Sequence, residues 1–189
     1  MKLLLSAGAR VSAVNKKWRT PLSSAYEGGN FSQVKELKDA HIREMKRMKL
    51  PSNPKHFPKA VMAAASKGEA DKICMLYALD PDMELLVTKQ GTAYHRAVAK
   101  DHPECLLVLQ AYAPGIRCNN MNANRPDSKG RTPLLLALDL RHLECAETII
   151  GFSASYVSVP DNKGRTPLSV ATEKKFTEIT NKLRAAGAR

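Results

Sequence analysis

Apolar residues recur in short bursts along the chain, separated by polar turns. Phe31, Val34 and Leu37; Ile73 and Leu76; Cys105 and Leu109; Leu143, Ala146, Ile149 and Ile150; and Ile179 and Leu183 fall at three- or four-residue spacing. That period predicts five short amphipathic helices. Four are preceded by a second burst that opens on Thr20-Pro21, Thr92-Ala93, Thr132-Pro133 or Thr166-Pro167. A threonine hydroxyl caps free amides at a helix start, and proline suits the first helical turn. Ala25, Ala97, Ala137 and Ala171 each lie five residues into these bursts, as Ala64 lies five after Lys59. A small side chain at one fixed offset predicts close approach of neighbouring helices.

The bursts form a repeat. Asp127-Ser128-Lys129-Gly130-Arg131 and Asp161-Asn162-Lys163-Gly164-Arg165 are near-copies, each just before its threonine. A degenerate copy, Lys59 to Ala65, completes the series, with Gly68 nine residues after Lys59 as Gly29 is nine after Thr20. Successive offsets are then 39, 33, 40 and 34 residues. Gly8-Ala9 and Gly187-Ala188 close units, glycine suiting the left-handed residue past a helix end. Self-similarity at this period means modules that bury a face only against their neighbours.

On these residues the chain resembles the ankyrin repeat family, whose pattern is roughly D-x-x-G-x-T-P-L-H-x-A with a later L-L-x-x-G-A close. The likeness is strongest at Thr132 and Thr166, good at Thr20, fair at Thr92 and weakest at Lys59. Trp18 stands where a hairpin glycine is usual, and Asp101, Arg141 and Lys175 replace the glycine between the two helices. Units two and three lack the Gly-Ala close. The resemblance implies an all-α repeat solenoid: an ankyrin-like helix-turn-helix stack with β-hairpin or loop fingers. It also implies that His95 bonds backbone and braces its finger, and that partners bind the finger tips and the inner face of the first helices.

The expected organisation is a single repeat domain over 1–189. It has a partial repeat at 1–15, repeats at about 16–50, 55–88, 89–115, 127–160 and 161–189, and insertions at about 41–58 and 114–126. Met1 to Ala9 match only a repeat's tail, so a longer array or a partner is expected to cover Leu3, Leu4 and Leu5. In the first insertion Val34, Leu37, His41, Met45 and Met48 continue the apolar stripe, which predicts that the helix runs on to about Lys49 and stops at Leu50-Pro51. Lys35, Lys38, Arg43, Lys46, Arg47 and Lys49 line its other face. They read as a solvated face, with a nuclear-import signal or an RNA-, lipid- or protein-binding stripe as alternatives. Pro51, Pro54 and Pro58 predict a stiff polar linker. The asparagine-rich second insertion reads as an irregular loop, either disordered or a docking loop.

Charge sharpens the picture. The chain of 189 residues carries 30 Lys/Arg against 18 Asp/Glu, net +12. Residues 1–59 hold 13 of those cations and only four acids. Such a balance points to an acidic protein surface, RNA or an anionic membrane. No apolar run is long enough to span a bilayer. The four cysteines show no paired spacing. Cys105 and Cys145 occupy an aliphatic slot of the repeat and read as core residues of a reducing compartment. An intracellular setting follows, cytoplasmic or nuclear. The acid-free stretch before Glu27 also fits an organelle transit peptide, but its register matches a repeat boundary.

No catalytic constellation is visible, so the chain is expected not to be an enzyme and to need neither cofactor nor small-molecule substrate. His102-Pro103-Glu104-Cys105 and His142-Leu143-Glu144-Cys145 have metal-ligand spacing. One repeat rise would hold the two pairs about 10 Å apart, too far for one ion. Metal is therefore expected to be none. Asp127 and Asp161 are expected to bond turn backbone. The expected partner-binding residues are Lys16, Lys17, Trp18, Arg19, Lys89, Lys129, Arg131, Lys163 and Arg165 at the tips. Lys67, Lys100 and Lys174 join them at the ends of the first helices. Trp18 is the aromatic anchor. The preferred function is a scaffold for an acidic protein segment. The alternatives are a structural subunit of an RNA-containing or other large assembly, or a regulatory fragment of a longer protein.

Overall fold

The computed structural model describes residues 37, 39–40, 43, 46–47, 49–51, 53–80, 86–112, 123–153 and 156–188. Among these residues the regular structure is helical: α1 (Phe57–Lys67), α2 (Ala70–Leu79), α3 (Ala93–Ala99), α4 (Pro103–Tyr112), α5 (Pro133–Leu140), α6 (Leu143–Ile150), α7 (Pro167–Glu173) and α8 (Thr177–Ala185). The helices fall in four pairs. Within each pair the two helices pack together. Between pairs, α1, α3, α5 and α7 pack in series, and so do α2, α4, α6 and α8.

The caps explain the starts. Thr132 Oγ1 accepts from the Leu135 amide at 3.3 Å and Thr166 Oγ1 from the Ser169 amide at 3.2 Å. Thr92 and His95 form a reciprocal capping box. Such caps are worth about 1 kcal/mol each. Unit two has no threonine and starts differently. Asn53 Oδ1 accepts from the Lys55 amide, Pro54–His56 form a 3-10 turn, and the turn runs into α1, where Pro58 sits in the first turn. The expected polar linker is thus shorter than its prolines suggest, because Phe57 is buried and pulls the chain into the helix.

The ends repeat too. Gly68, Asp101, Arg141 and Lys175 all adopt positive φ, at 73°, 57°, 65° and 59°. The next amide then reaches back: Glu69 to Ala64 O, His102 to Ala97 O, His142 to Ala137 O and Phe176 to Ala171 O, all at 2.9–3.0 Å. This is the helix-ending motif with a left-handed residue. Each non-glycine placed there costs about 1 kcal/mol. The four alanines are buried, as their fixed offset predicts, and at the same time supply these carbonyl acceptors.

The apolar stripes form the core. Leu37, Ile73, Leu76, Cys105, Leu109, Ala146, Ile149, Ile179 and Leu183 are buried, each large aliphatic contributing roughly 1.5–3 kcal/mol. Leu143 departs from its stripe and is 39% exposed, because it opens α6 directly after the left-handed turn. Leu37, Asp39, Ala40, Arg43, Lys46 and Arg47 are helical, and Lys49 turns out of that helix with φ 55° before Leu50.

Of the β-hairpin or loop fingers expected, β-hairpins are not seen among the described residues. No strand occurs among the described residues. Only Thr88 and Gly91 close an isolated antiparallel bridge. In the two later turns an aspartate side chain takes amides that a strand partner would otherwise bond, so no ladder grows.

Candidate functional site

Asp127 organises its turn with both carboxylate oxygens. Oδ1 accepts from the amides of Lys129 at 2.8 Å and Arg131 at 3.0 Å; Oδ2 accepts from Arg131 Nε at 3.1 Å and Nη2 at 2.8 Å. Asp161 repeats the arrangement with Lys163 and Arg165. Burial pushes the Asp127 carboxyl up, but the bonds from Arg131 and the two amides outweigh it and hold the group below the ordinary carboxylate range. Asp161 is lowered in the same way, the bonds from Arg165 and Lys163 outweighing desolvation. Both aspartates are therefore structural, as expected.

Successive turns touch through backbone. The Ser128 amide donates to Lys89 O at 3.2 Å, and the Asn162 amide donates to Lys129 O at 3.4 Å. Gly130 makes the second contact possible. Its φ is 74°, and a Cβ there would lie 2.6 Å from the Asn162 nitrogen. Gly164 has the same φ of 73° with nothing within 4 Å of a Cβ. Residues bonded across such a contact have Cα atoms about 5.5 Å apart, and chain neighbours about 3.8 Å. The Cα atoms of successive members of Lys89, Lys129 and Lys163, which share one register position, are therefore no more than about 10 Å apart. All three are exposed, and no ion pair engages their ammonium groups among the described residues.

The tip arginines are used differently. Arg131 pairs with Asp127 at 2.8 Å and lies 3.7 Å from Asp139. Arg165 pairs with Asp161 at 2.8 Å and with Asp139 at 3.1 Å. The result is one chain of charge, Asp127–Arg131–Asp139–Arg165–Asp161. Hydrogen bonds that Arg165 donates to Asp139 and Asp161 raise its guanidinium above its ordinary value. Lys174 also turns inward, donating to Leu138 O at 3.1 Å and Asp139 O at 2.8 Å, where a cation meets the carbonyl end of α5. Nothing in the sequence marks Asp139 as a hub by motif or spacing. Its signal is a lone acid in the apolar run Pro133 to Leu140.

Lys67 and Lys100 are exposed at the ends of α1 and α3, and Leu140, 44% exposed, holds the same position on α5. Arg43, Lys46, Arg47 and Lys49 are exposed along their helix. Lys16, Lys17, Trp18, Arg19, Lys35 and Lys38 lie outside the described residues.

His95 braces its turn as the resemblance implies. Its Nδ1 accepts from the Thr92 amide at 3.2 Å, so the proton sits on Nε2, which donates to Arg131 O at 2.9 Å. Burial, the largest influence, lowers its pKa, so the ring is neutral at pH 7. The metal-spaced residues have other partners. His142 Nδ1 meets Val98 O at 2.7 Å, and Cys145 Sγ donates to Asp101 Oδ1 at 3.3 Å. Burial pushes the Cys105 thiol up to about 12, and burial with the Asp101 bond raises Cys145 further, which leaves both as unreactive thiols. Among the described residues no three potential ligands converge, and no helix is long and apolar enough to cross a membrane.

No protein-family model matches this chain, and no curated protein matches its sequence.

Proposed function

We propose that the chain is a non-catalytic scaffold of the ankyrin type, a solenoid that binds an acidic protein segment along its turns. One observation carries this reading. Lys89, Lys129 and Lys163 lie in a hydrogen-bonded series of turns with their charges available, while the arginines beside them hold the turns rigid. A preorganised row of like charge steers and orients an oppositely charged partner at little ordering cost. Lys67 and Lys100 extend the cationic surface onto the first helices.

Reversing Lys89, Lys129 and Lys163 to glutamate lowers affinity for polyglutamate about thirtyfold at low salt, by roughly 1 kcal/mol or less per site. The far-ultraviolet circular dichroism stays unchanged. Equal affinity of variant and parent removes this reading.

The second reading is an RNA-contacting structural subunit. The exposed Arg43, Lys46 and Lys49 favour it. RNA binding then falls with salt, by a logarithmic slope of about −0.7 per phosphate neutralised on a single strand. A slope near zero rejects it.

A further inference from the structure

The three lysines of the row are each preceded by a residue at one shared position: Thr88, Ser128 and Asn162. The Thr88 hydroxyl is engaged, donating to Gly91 O at 2.9 Å. Asn162 carries no hydroxyl. Ser128 is exposed, and its hydroxyl has no hydrogen bond among the described residues. Its backbone amide meets Lys89 O at 3.2 Å, and Lys129 follows it in the chain. The one available hydroxyl of the series is therefore carried by a residue whose backbone is bonded to one row lysine and continuous with another. Arg125 is exposed three residues before it, on chain without regular structure, and Asp127 is already neutralised by Arg131. An arginine three residues ahead of a serine is the charge pattern that basophilic protein kinases read.

We propose that Ser128 is a phosphorylation site whose phosphate closes the lysine row. In the reaction, Ser128 Oγ attacks the γ-phosphorus of ATP. The bond from that phosphorus to the β,γ-bridging oxygen breaks, ADP leaves with the electron pair, and the hydroxyl proton passes to the kinase's base. The product carries about −1.5 to −2 charge at neutral pH and three acceptor oxygens. Lys89 and Lys129 are then paired within the chain and unavailable to an acidic partner. The switch rests on the proposed role of the row; the modification does not.

The test uses the full chain with a basophilic serine/threonine kinase and ATP, phosphopeptide mapping, and polyglutamate binding at low salt. The expected result is phosphate on Ser128, none there in Ser128→Ala, slower incorporation in Arg125→Ala, and polyglutamate affinity lowered about tenfold by the phosphate. Absence of phosphate on Ser128 of the folded chain overturns the site. Phosphate that leaves affinity unchanged, while Lys129→Glu lowers it, overturns the switch alone. If neither phosphate nor Lys129→Glu alters polyglutamate binding, the switch falls together with the binding role of the row.

Discussion

The joint between the α3/α4 pair and the α5/α6 pair is held by single side-chain hydrogen bonds. His95 reaches Arg131 O, His142 reaches Val98 O, and Cys145 reaches Asp101. The next joint, between α5/α6 and α7/α8, is held by charge. Asp139 gathers Arg131 and Arg165, Lys174 crosses to the end of α5, Lys182 pairs with Glu147 at 3.0 Å, and Arg141 lies 5.6 Å from the Phe176 ring centre. The backbone geometry at the helix ends is the same in both. One fold unit is thus joined to its neighbour by two different chemistries, and the two joints answer to different solution variables. The first responds to acid, the second to salt.

The largest expected break lies in the second joint. Gly130→Ala meets both a positive φ and the backbone of Asn162, and costs about 3 kcal/mol; Gly164→Ala meets only the φ and costs about 1 kcal/mol. Chemical denaturation of both variants measures the difference, and equal costs would show that the turns do not press together. His95→Leu, which copies Leu135 at the same repeat position, leaves the Thr92 amide and Arg131 O without their partner. It costs about 2 kcal/mol at pH 7.5.

The same residue sets the acid response. His95 in the folded chain has a pKa below that of the unfolded chain, near 6.5, so the unfolded state binds more protons just below that pH. Its contribution is complete above about pH 6.5 and declines as pH falls toward the lowered folded value. His95→Leu therefore flattens stability between pH 7 and 5.5, read by thermal denaturation across that range.

Asp139→Asn is a smaller perturbation. It costs about 1 kcal/mol at low ionic strength and less at 1 M salt, where partly exposed pairs are screened. A loss equal at both ionic strengths would mean that packing, and not charge, holds the second joint. The smallest change is a gain. Lys175→Gly relieves the positive φ of 59° and stabilises by about 0.5–1 kcal/mol, less whatever glycine adds to the freedom of the unfolded chain.

Much of this was legible in the order of residues. Thr132-Pro133 and Thr166-Pro167 open helices because a hydroxyl and a proline act on their own turn. The buried alanines and the stripes Ile73/Leu76 and Ile179/Leu183 follow from helical period alone. Asp127 and Asp161 were readable as turn residues because their partners lie two and four residues away. The three row lysines were legible as a set only through the shared register. Less visible was the division of labour among the cations. Arg131, Arg165 and Lys174 look like tip and surface charges beside Lys129 and Lys163, yet their partners include Asp139 and Leu138 O, which other helices supply. The choice between hairpin and loop fingers was not legible either, since it depends on how each aspartate shares the amides of its turn with the neighbouring turn.

Local chemistry, then, wrote the helices, their caps and the left-handed ends into the sequence, because each depends on groups within about five residues. Which charges remain available, which hydroxyl stands open and how tightly two turns meet depend on residues 26 to 44 positions apart. Only the packing of one helix pair on the next brings those groups within bonding range, and so only the folded chain decides them.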